Sequence, residues 1–118
     1  MTPLQRGMVI DVDLNPTKGS ETGKNRPCIV VTNDIYNARV PIIQVVPITG
    51  WSEKKAKIAT NVAIEPSAAN GLSKTSIADC LQTRPIDYRS RLLNVRGSLE
   101  PGLLNTIDEA LKIVFGLL

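Results

Sequence analysis

Asn15-Pro16-Thr17-Lys18-Gly19-Ser20-Glu21-Thr22-Gly23-Lys24-Asn25-Arg26-Pro27, with the run Cys28-Ile29-Val30-Val31 behind it, is the stretch from which the rest of the chain can be read. Two prolines, two glycines and two asparagines break any regular element, so the stretch reads as a loop. Upstream, Met8, Ile10, Val12 and Leu14 alternate with Val9, Asp11 and Asp13, which predicts a half-buried strand over 8–14. Downstream, the unbroken apolar run predicts a strand over 28–33 that is buried on both faces. Two strands therefore deliver a long polar loop bearing Lys18, Glu21, Lys24 and Arg26. Loops of more than about twelve residues inside a compact domain are usually functional or disordered. A carboxylate, a guanidinium and glycines that admit close backbone approach make this one a candidate site; the alternative is a solvated surface loop.

Outward from the loop, composition bounds the protein. A chain of 118 residues forms one domain, spanning 1–118, around a single core. It is 42% hydrophobic but 3% aromatic, so the core is built from Val, Ile, Leu and Ala. A net charge of +3 permits an anionic partner without requiring one. The chain has no histidine. That excludes Ser-His-Asp and Cys-His nucleophile pairs, paired-histidine phosphodiester cleavage and the usual zinc sets, which two cysteines cannot complete alone. No metal or other cofactor is expected. Cys28 and Cys80 sit in apolar, strand-like contexts and read as buried thiols. No stretch approaches the roughly 20 apolar residues of a membrane span, and Met-Thr-Pro-Leu-Gln-Arg has no apolar signal core. A cytoplasmic protein is expected.

Along the chain, Asp34 to Val40 reads as a connection with room for one helical turn. Ile42 to Val46 reads as a third strand closed by Pro47, which cannot donate into a ladder. Thr49 to Lys57 is a second polar loop, Ile58 to Ile64 a fourth strand, and Pro66 to Gly71 a short helical turn ended by glycine. A fifth strand over 76–83, a helical stretch over 87–93 capped by Asp87, and a short strand over 95–99 follow. Leu104, Ile107, Leu111, Val114 and Leu118 recur at helical spacing, and Pro101 suits a first helical position, which predicts a helix over 101–116. Short strands followed by a terminal helix fit a small, mainly β, barrel-like α+β fold with helical turns and a C-terminal α-helix.

The chemistry available is that of carboxylates, arginine, lysine, hydroxyls and backbone. Arg26 precedes Pro27 at the start of a buried strand, so its backbone is extended and fixed. Its planar fork of donors suits a phosphate, or else pairs with a carboxylate such as Glu21. Thr49, followed by Gly50, can donate to a phosphate oxygen or bond its own turn. Trp51 can stack on a base or pack on the barrel. Lys54, Lys55 and Lys57, with Lys18, Lys24 and Arg26, can form a positive strip along a nucleic-acid backbone or simply a solvated surface. Asp79, an acid amid apolar strand residues, either faces outward or needs a partner, for which Arg26 and Arg84 are the candidates.

The order and spacing of Arg6-Gly7, Asp13 to Glu21 and Arg26 to Val31, continued at Val46-Pro47-Ile48-Thr49 and at Ala78 to Asp87, resemble the MazF/PemK family of toxin endoribonucleases over nearly the whole chain. The resemblance implies an SH3-like barrel of the CcdB/PemK kind that dimerises. It also implies metal-independent cleavage of single-stranded RNA, usually mRNA, at short sequences by attack of the 2′-hydroxyl, leaving a 2′,3′-cyclic phosphate and a 5′-hydroxyl. On the family's pattern Arg26 matches the catalytic arginine and Thr49 the catalytic threonine. Glu21 matches a glutamate with a supporting acid–base role, and Asp79 an acid used by other members. Ser20 stands where some members carry a helper histidine, Ile77 where those members place an arginine, and Cys80 where a glutamine is usual. Those departures favour an Arg26–Thr49 scheme over one centred on Asp79. The implied partners are an RNA substrate and an acidic antitoxin of the MazE/PemI kind; from the residues themselves, Lys18, Lys24, Trp51, Lys54, Lys55, Lys57 and Arg84 are the candidates to contact the RNA. The rival readings are a CcdB-like gyrase poison and a catalytically silent RNA-binding relative. The joint presence of Glu21, Arg26 and Thr49 favours the nuclease.

Overall fold

The computed structural model describes residues 3–118. Met1 and Thr2, the start of the segment read as lacking a signal core, lie outside the described residues. The strands are β1 (Met8–Asp13), β2 (Asn25–Val30), β3 (Ile42–Gly50), β4 (Asn61–Ile64), β5 (Ser76–Asp79), β6 (Arg84–Asp87) and β7 (Leu92–Ser98). Helical pieces are α1 (Asp34–Asn37), α2 (Glu53–Ala56), α3 (Tyr88–Arg91) and the long α4 (Pro101–Phe115), with a 3-10 turn at Cys80–Gln82.

All pairings are antiparallel, in the order β4-β5-β3-β2-β1-β7, with β6 also on β3. The two ends of this path do not pair, so the sheet is not a closed barrel. They are nevertheless brought together by the β4–β5 connection. The Ser98 N–H donates to the Ala69 carbonyl at 2.8 Å, and Arg96 Nη1 donates to the Gly71 carbonyl at 3.2 Å. That is how an open seven-stranded sheet acquires the barrel-like curvature expected from the sequence.

The core is double. Val9, Ile29, Val46, Ile48, Ile64 and Ala78 pack under Ile107 and Ala110 of α4. Ile10, Val12, Leu14, Cys28, Val30, Ile43, Val45 and Ile86 form a second cluster. The expectation of one core fails because β2 is buried on both faces and β1 sends Val9 to one cluster and Ile10 and Val12 to the other, while Asp11 and Asp13 stay partly exposed. For β2 this bears out the reading of its apolar run. Helix α4 fits its periodicity, with Pro101 in the first turn and Gly116 in the left-handed cap conformation at φ 67°. Leu118 lies beyond the helix and is exposed, so the stripe ends at Val114.

Several boundaries differ from expectation: β2 spans Asn25–Val30 and not 28–33, so Asn25 to Pro27 belong to a strand and not to the loop, and β7 begins at Leu92 and not at Val95. Strand β3 does not stop at Pro47 but runs through it to Gly50. The Gln44 carbonyl accepts from the Val31 N–H at 2.9 Å, and the Val45 carbonyl accepts from Thr83 Oγ1 at 2.9 Å on the other edge. By alternation the missing N–H of Pro47 falls on the second edge, in the gap between β6, which pairs as far as Val45, and β5, which begins at Ile48. No ladder bond is lost there. The strand expected over 76–83 is instead β5, a 3-10 turn and β6, because the chain leaves one stretch of β3 and joins another. The strand expected from Ile58 begins at Asn61; Ile58, Ala59 and Thr60 lie outside it.

Candidate active site

The β1–β2 connection is a folded structure, not a loose loop. The Asn15 side-chain oxygen accepts from the Lys24 N–H at 3.0 Å, and the Leu14 N–H donates to the Lys24 carbonyl at 3.0 Å. Lys24 is held at φ 68°, and any side chain at Gly23 would meet Thr17 Oγ1 at 2.6 Å. Arg91 Nη1 donates to the carbonyls of Asp13 and Asn15 at 2.8 and 2.6 Å. Gln82 grips the far limb with both ends of its amide, accepting from the Thr22 N–H at 3.3 Å and donating to the Ser20 carbonyl at 3.2 Å.

This frame sets Arg26. Its Nε donates to the Gly23 carbonyl at 3.1 Å, which leaves the terminal nitrogens of the fork for a ligand. Among the described residues no carboxylate pairs with it, so the alternative of an Arg26–Glu21 ion pair is not what forms. Arg26 lines a cleft of about 160 Å³ together with Asn25, Thr49, Ser73, Lys74 and Arg96. Thr49 reaches it because β3 continues past Pro47. Both residues are half-buried. No carboxylate is among the residues that line the cleft. A concavity lined by guanidinium, ammonium and hydroxyl groups, with only Arg96 of its cations ion-paired among the described residues, can accept an anion.

Glu21 lies elsewhere. Its Oε1 accepts from the Lys18 N–H at 2.8 Å, and it lines a second cleft of about 400 Å³ with Thr22, Leu81, Gln82, Thr83, Arg84 and Pro85. The start of β2 thus supplies Asn25 to Pro27 to the first cleft, and the connection before it supplies Glu21 and Thr22 to the second. Arg84 Nη1 donates to the Leu14 carbonyl at 3.0 Å while its residue lines the second cleft. Ser20 is exposed, with its carbonyl held by Gln82. Asp79 ends β5 half-buried opposite Asn61 and lines neither cleft. Among the described residues it pairs with neither Arg26 nor Arg84.

Of the lysines, Lys54, Lys55 and Lys57 sit on or just beyond α2, whose N-cap Ser52 accepts from the Lys55 N–H. Lys55 Nζ donates to the Gly50 carbonyl at 3.3 Å, which brings it to the Thr49 end of β3; Lys57 pairs with Glu53 at 3.8 Å on the surface. Lys18, Lys24 and Trp51 are exposed and line neither cleft. Sequence reasoning missed Lys74, Ser73, Arg96 and Gln82. Nothing in the local pattern around them marks a site, because the packing of the β4–β5 connection on β7 is what places the first three.

Cys28 and Cys80 are both buried free thiols, as expected. Burial pushes Cys28 up to about 12, against the pull of the nearby Arg84 and Arg26 charges. Burial, helped by Asp79, pushes Cys80 up to about 12. Among the described residues no three His, Cys, Asp or Glu side chains gather as a metal site, and no helix is long and apolar enough to cross a membrane.

A curved antiparallel sheet with one helix across it, presenting a cationic cleft at the end of its central strand, defines a small, mainly β, barrel-like protein. Residues 5–115 match the family described as PemK-like, MazF-like toxin of type II toxin-antitoxin system, and the chain belongs to that family. It is 36% identical over 115 residues to endoribonuclease EndoA of Bacillus subtilis (strain 168), covering 98% of this chain and 97% of that protein. Its fold is that of MazF from Deinococcus radiodurans, with a TM-score of 0.83 at 20% identity over 99% of this chain and 100% of that one. It also matches a mycobacterial endoribonuclease solved with its cognate antitoxin, with a TM-score of 0.78 at 24% identity over 98% and 97% of the two chains.

Proposed function

We propose that this toxin is a metal-independent, sequence-specific endoribonuclease that cleaves single-stranded RNA to a 2′,3′-cyclic phosphate and a 5′-hydroxyl. The observation that supports this most directly is the meeting of Arg26 and Thr49 in one cleft whose lining contains no carboxylate. In the proposed step the ribose 2′-oxygen bonds to phosphorus, the bond from phosphorus to the 5′-oxygen breaks, a proton leaves the 2′-hydroxyl and a proton reaches the 5′-oxygen. Charge grows on the nonbridging oxygens as the phosphorane forms. Arg26, oriented through Nε, offers its two terminal nitrogens to that charge, and Thr49 donates its hydroxyl to a nonbridging oxygen. The guanidinium also donates a hydrogen bond to the leaving oxygen.

Glu21 is assigned the 2′-hydroxyl proton. One of its carboxylate oxygens is engaged by Lys18, and the other has no partner among the described residues. For Glu21 to act, its exposed side chain swings out of the second cleft to within hydrogen-bond reach of the 2′-hydroxyl beside the phosphate held by Arg26 and Thr49, and the flanking RNA passes Arg84 and Gln82. Asp79 and Ser20 take only supporting roles in this scheme. Lys18, Lys24, Trp51, Lys54, Lys55 and Lys57 extend the contact beyond the clefts. The toxin works in the cytoplasm, as a homodimer, and an acidic segment of its antitoxin competes for the same cationic surface.

Incubation with a long single-stranded RNA in EDTA, followed by mapping of cut sites and end groups, tests the proposal. Cuts at one short motif, with cyclic phosphate and 5′-hydroxyl ends and abolished by 2′-deoxy substitution just before the cut, are expected. Intact RNA after incubation with folded protein would overturn it.

A further inference from the structure

We propose that Lys74 is a substrate-binding residue of this toxin, holding a phosphodiester oxygen of the RNA in the same cleft that Arg26 and Thr49 line. The inference rests on the nuclease reading above and deepens it.

Lys74 belongs to the connection between β4 and β5, far from Arg26 in sequence. Its ammonium reaches the end of β3, 3.8 Å from where a side chain at Gly50 would begin. The backbone that carries it is unusually well held. Asn70, fully buried, donates to the Glu65 carbonyl at 2.9 Å and accepts from the N–H groups of Ser67 and Leu72 at 3.0 and 2.9 Å. The hydroxyl of buried Ser76 donates to the carbonyl of Lys74 itself at 2.8 Å. On the outer side the connection is seated on β7 so closely that a side chain at Gly71 would meet the Arg96 carbonyl oxygen at 2.6 Å. The lysine's backbone is thus fixed in advance, so only its side chain remains to be ordered when an anion binds.

Charge points the same way. The cleft collects Arg26, Lys74 and Arg96. Arg96 is already engaged, with Nε on Asp11 at 2.8 Å and Nη1 on the Gly71 carbonyl. Arg26 and Lys74 face the cleft with no carboxylate pairing either among the described residues. Two cations without a carboxylate partner that line one concavity repel each other, and an anion bound there relieves that repulsion. A phosphodiester is the anion that also suits the Thr49 hydroxyl. With Arg26 oriented by Gly23 for the reacting phosphate, the compact ammonium serves as a point charge that positions it.

The test uses the intact protein and an RNA carrying the cleavage motif, in two forms, one cleavable and one with a 2′-deoxy residue before the cut. Lys74→Gln is expected to weaken binding of the uncleavable RNA about tenfold. The slope of log affinity against log salt should become shallower by about 0.7, the value for one phosphate contact on a single strand. Lys74→Arg should restore the slope, and Lys112→Gln, the same charge change on α4, should leave it unaltered. Lys74 is exposed, so the melting temperature should hold. An unchanged affinity and slope for Lys74→Gln, with wild-type protein cutting normally, overturns this assignment and leaves the nuclease reading standing. Wild-type protein that neither binds nor cuts overturns both.

Discussion

The Nε of Arg26 donates to the carbonyl oxygen of Gly23, three residues earlier, at 3.1 Å. An arginine steadied through Nε presents its two terminal nitrogens as a fixed pair, which a lysine cannot imitate. Arg26→Lys should therefore lose nearly as much RNA cleavage as Arg26→Ala, each about 10³-fold in kcat, because positive charge alone is insufficient. Both variants should melt close to wild type, since among the described residues Arg26 has no ion-pair partner to abandon. A fluorogenic RNA assay beside a thermal melt reads both quantities. Substantial activity in the lysine variant would show that charge and not fork geometry matters.

Glu21→Gln separates two roles of one side chain. The amide oxygen still accepts from the Lys18 N–H, so the connection keeps its shape, but the proton acceptor is gone. A loss of about 10²-fold in kcat is expected if Glu21 takes the 2′-hydroxyl proton. Unchanged kcat in a folded Glu21→Gln protein would confine this residue to shaping the connection.

Gly97→Ala tests the seat of the β4–β5 connection. A methyl group there would be driven into the Ala69 carbonyl, which is backbone and cannot swing aside. A loss of about 3 kcal/mol in urea unfolding is expected. Because the same connection carries Lys74, residual folded protein should also bind RNA more weakly.

The cysteines set an alkaline limit. Both thiols have folded pKa values raised from 9.0 to about 12, so the folded protein holds these protons where the unfolded chain releases them. Their contribution is whole below pH 9 and is lost progressively as pH rises toward 12. The urea midpoint should fall across that window, and Cys28→Val with Cys80→Val should flatten the fall. At pH 8 native protein should resist iodoacetamide, because both thiols are buried and protonated.

Much of this architecture is legible in the primary structure. Alternation marks β1, the apolar run marks β2, and the Leu104-to-Val114 stripe marks α4, each because a local period reports which face is buried. The meeting of Arg26 and Thr49 follows the family pattern. Pro47 misleads, because its prohibition applies to a paired edge and it lies at an unpaired corner. Lys74 and Arg96 are invisible for a different reason. What makes them part of the cleft is contact between two backbones, at Gly71 and Arg96 and at Gly97 and Ala69, and glycine in a sequence does not name its neighbour. Gln82 is hidden likewise, since an amide that clamps a distant loop looks like any surface glutamine.

The pairing of β1 with β7 carries a consequence for how the toxin is made. Met8 lies opposite Ser98, so the first strand to leave the ribosome waits for nearly the last before it has both neighbours. The cleft waits too, because Arg96 and Gly97 seat the connection that bears Lys74. A chain that stops before β7 therefore lacks Arg96 and the seat of the connection that bears Lys74, and its cleft is unfinished.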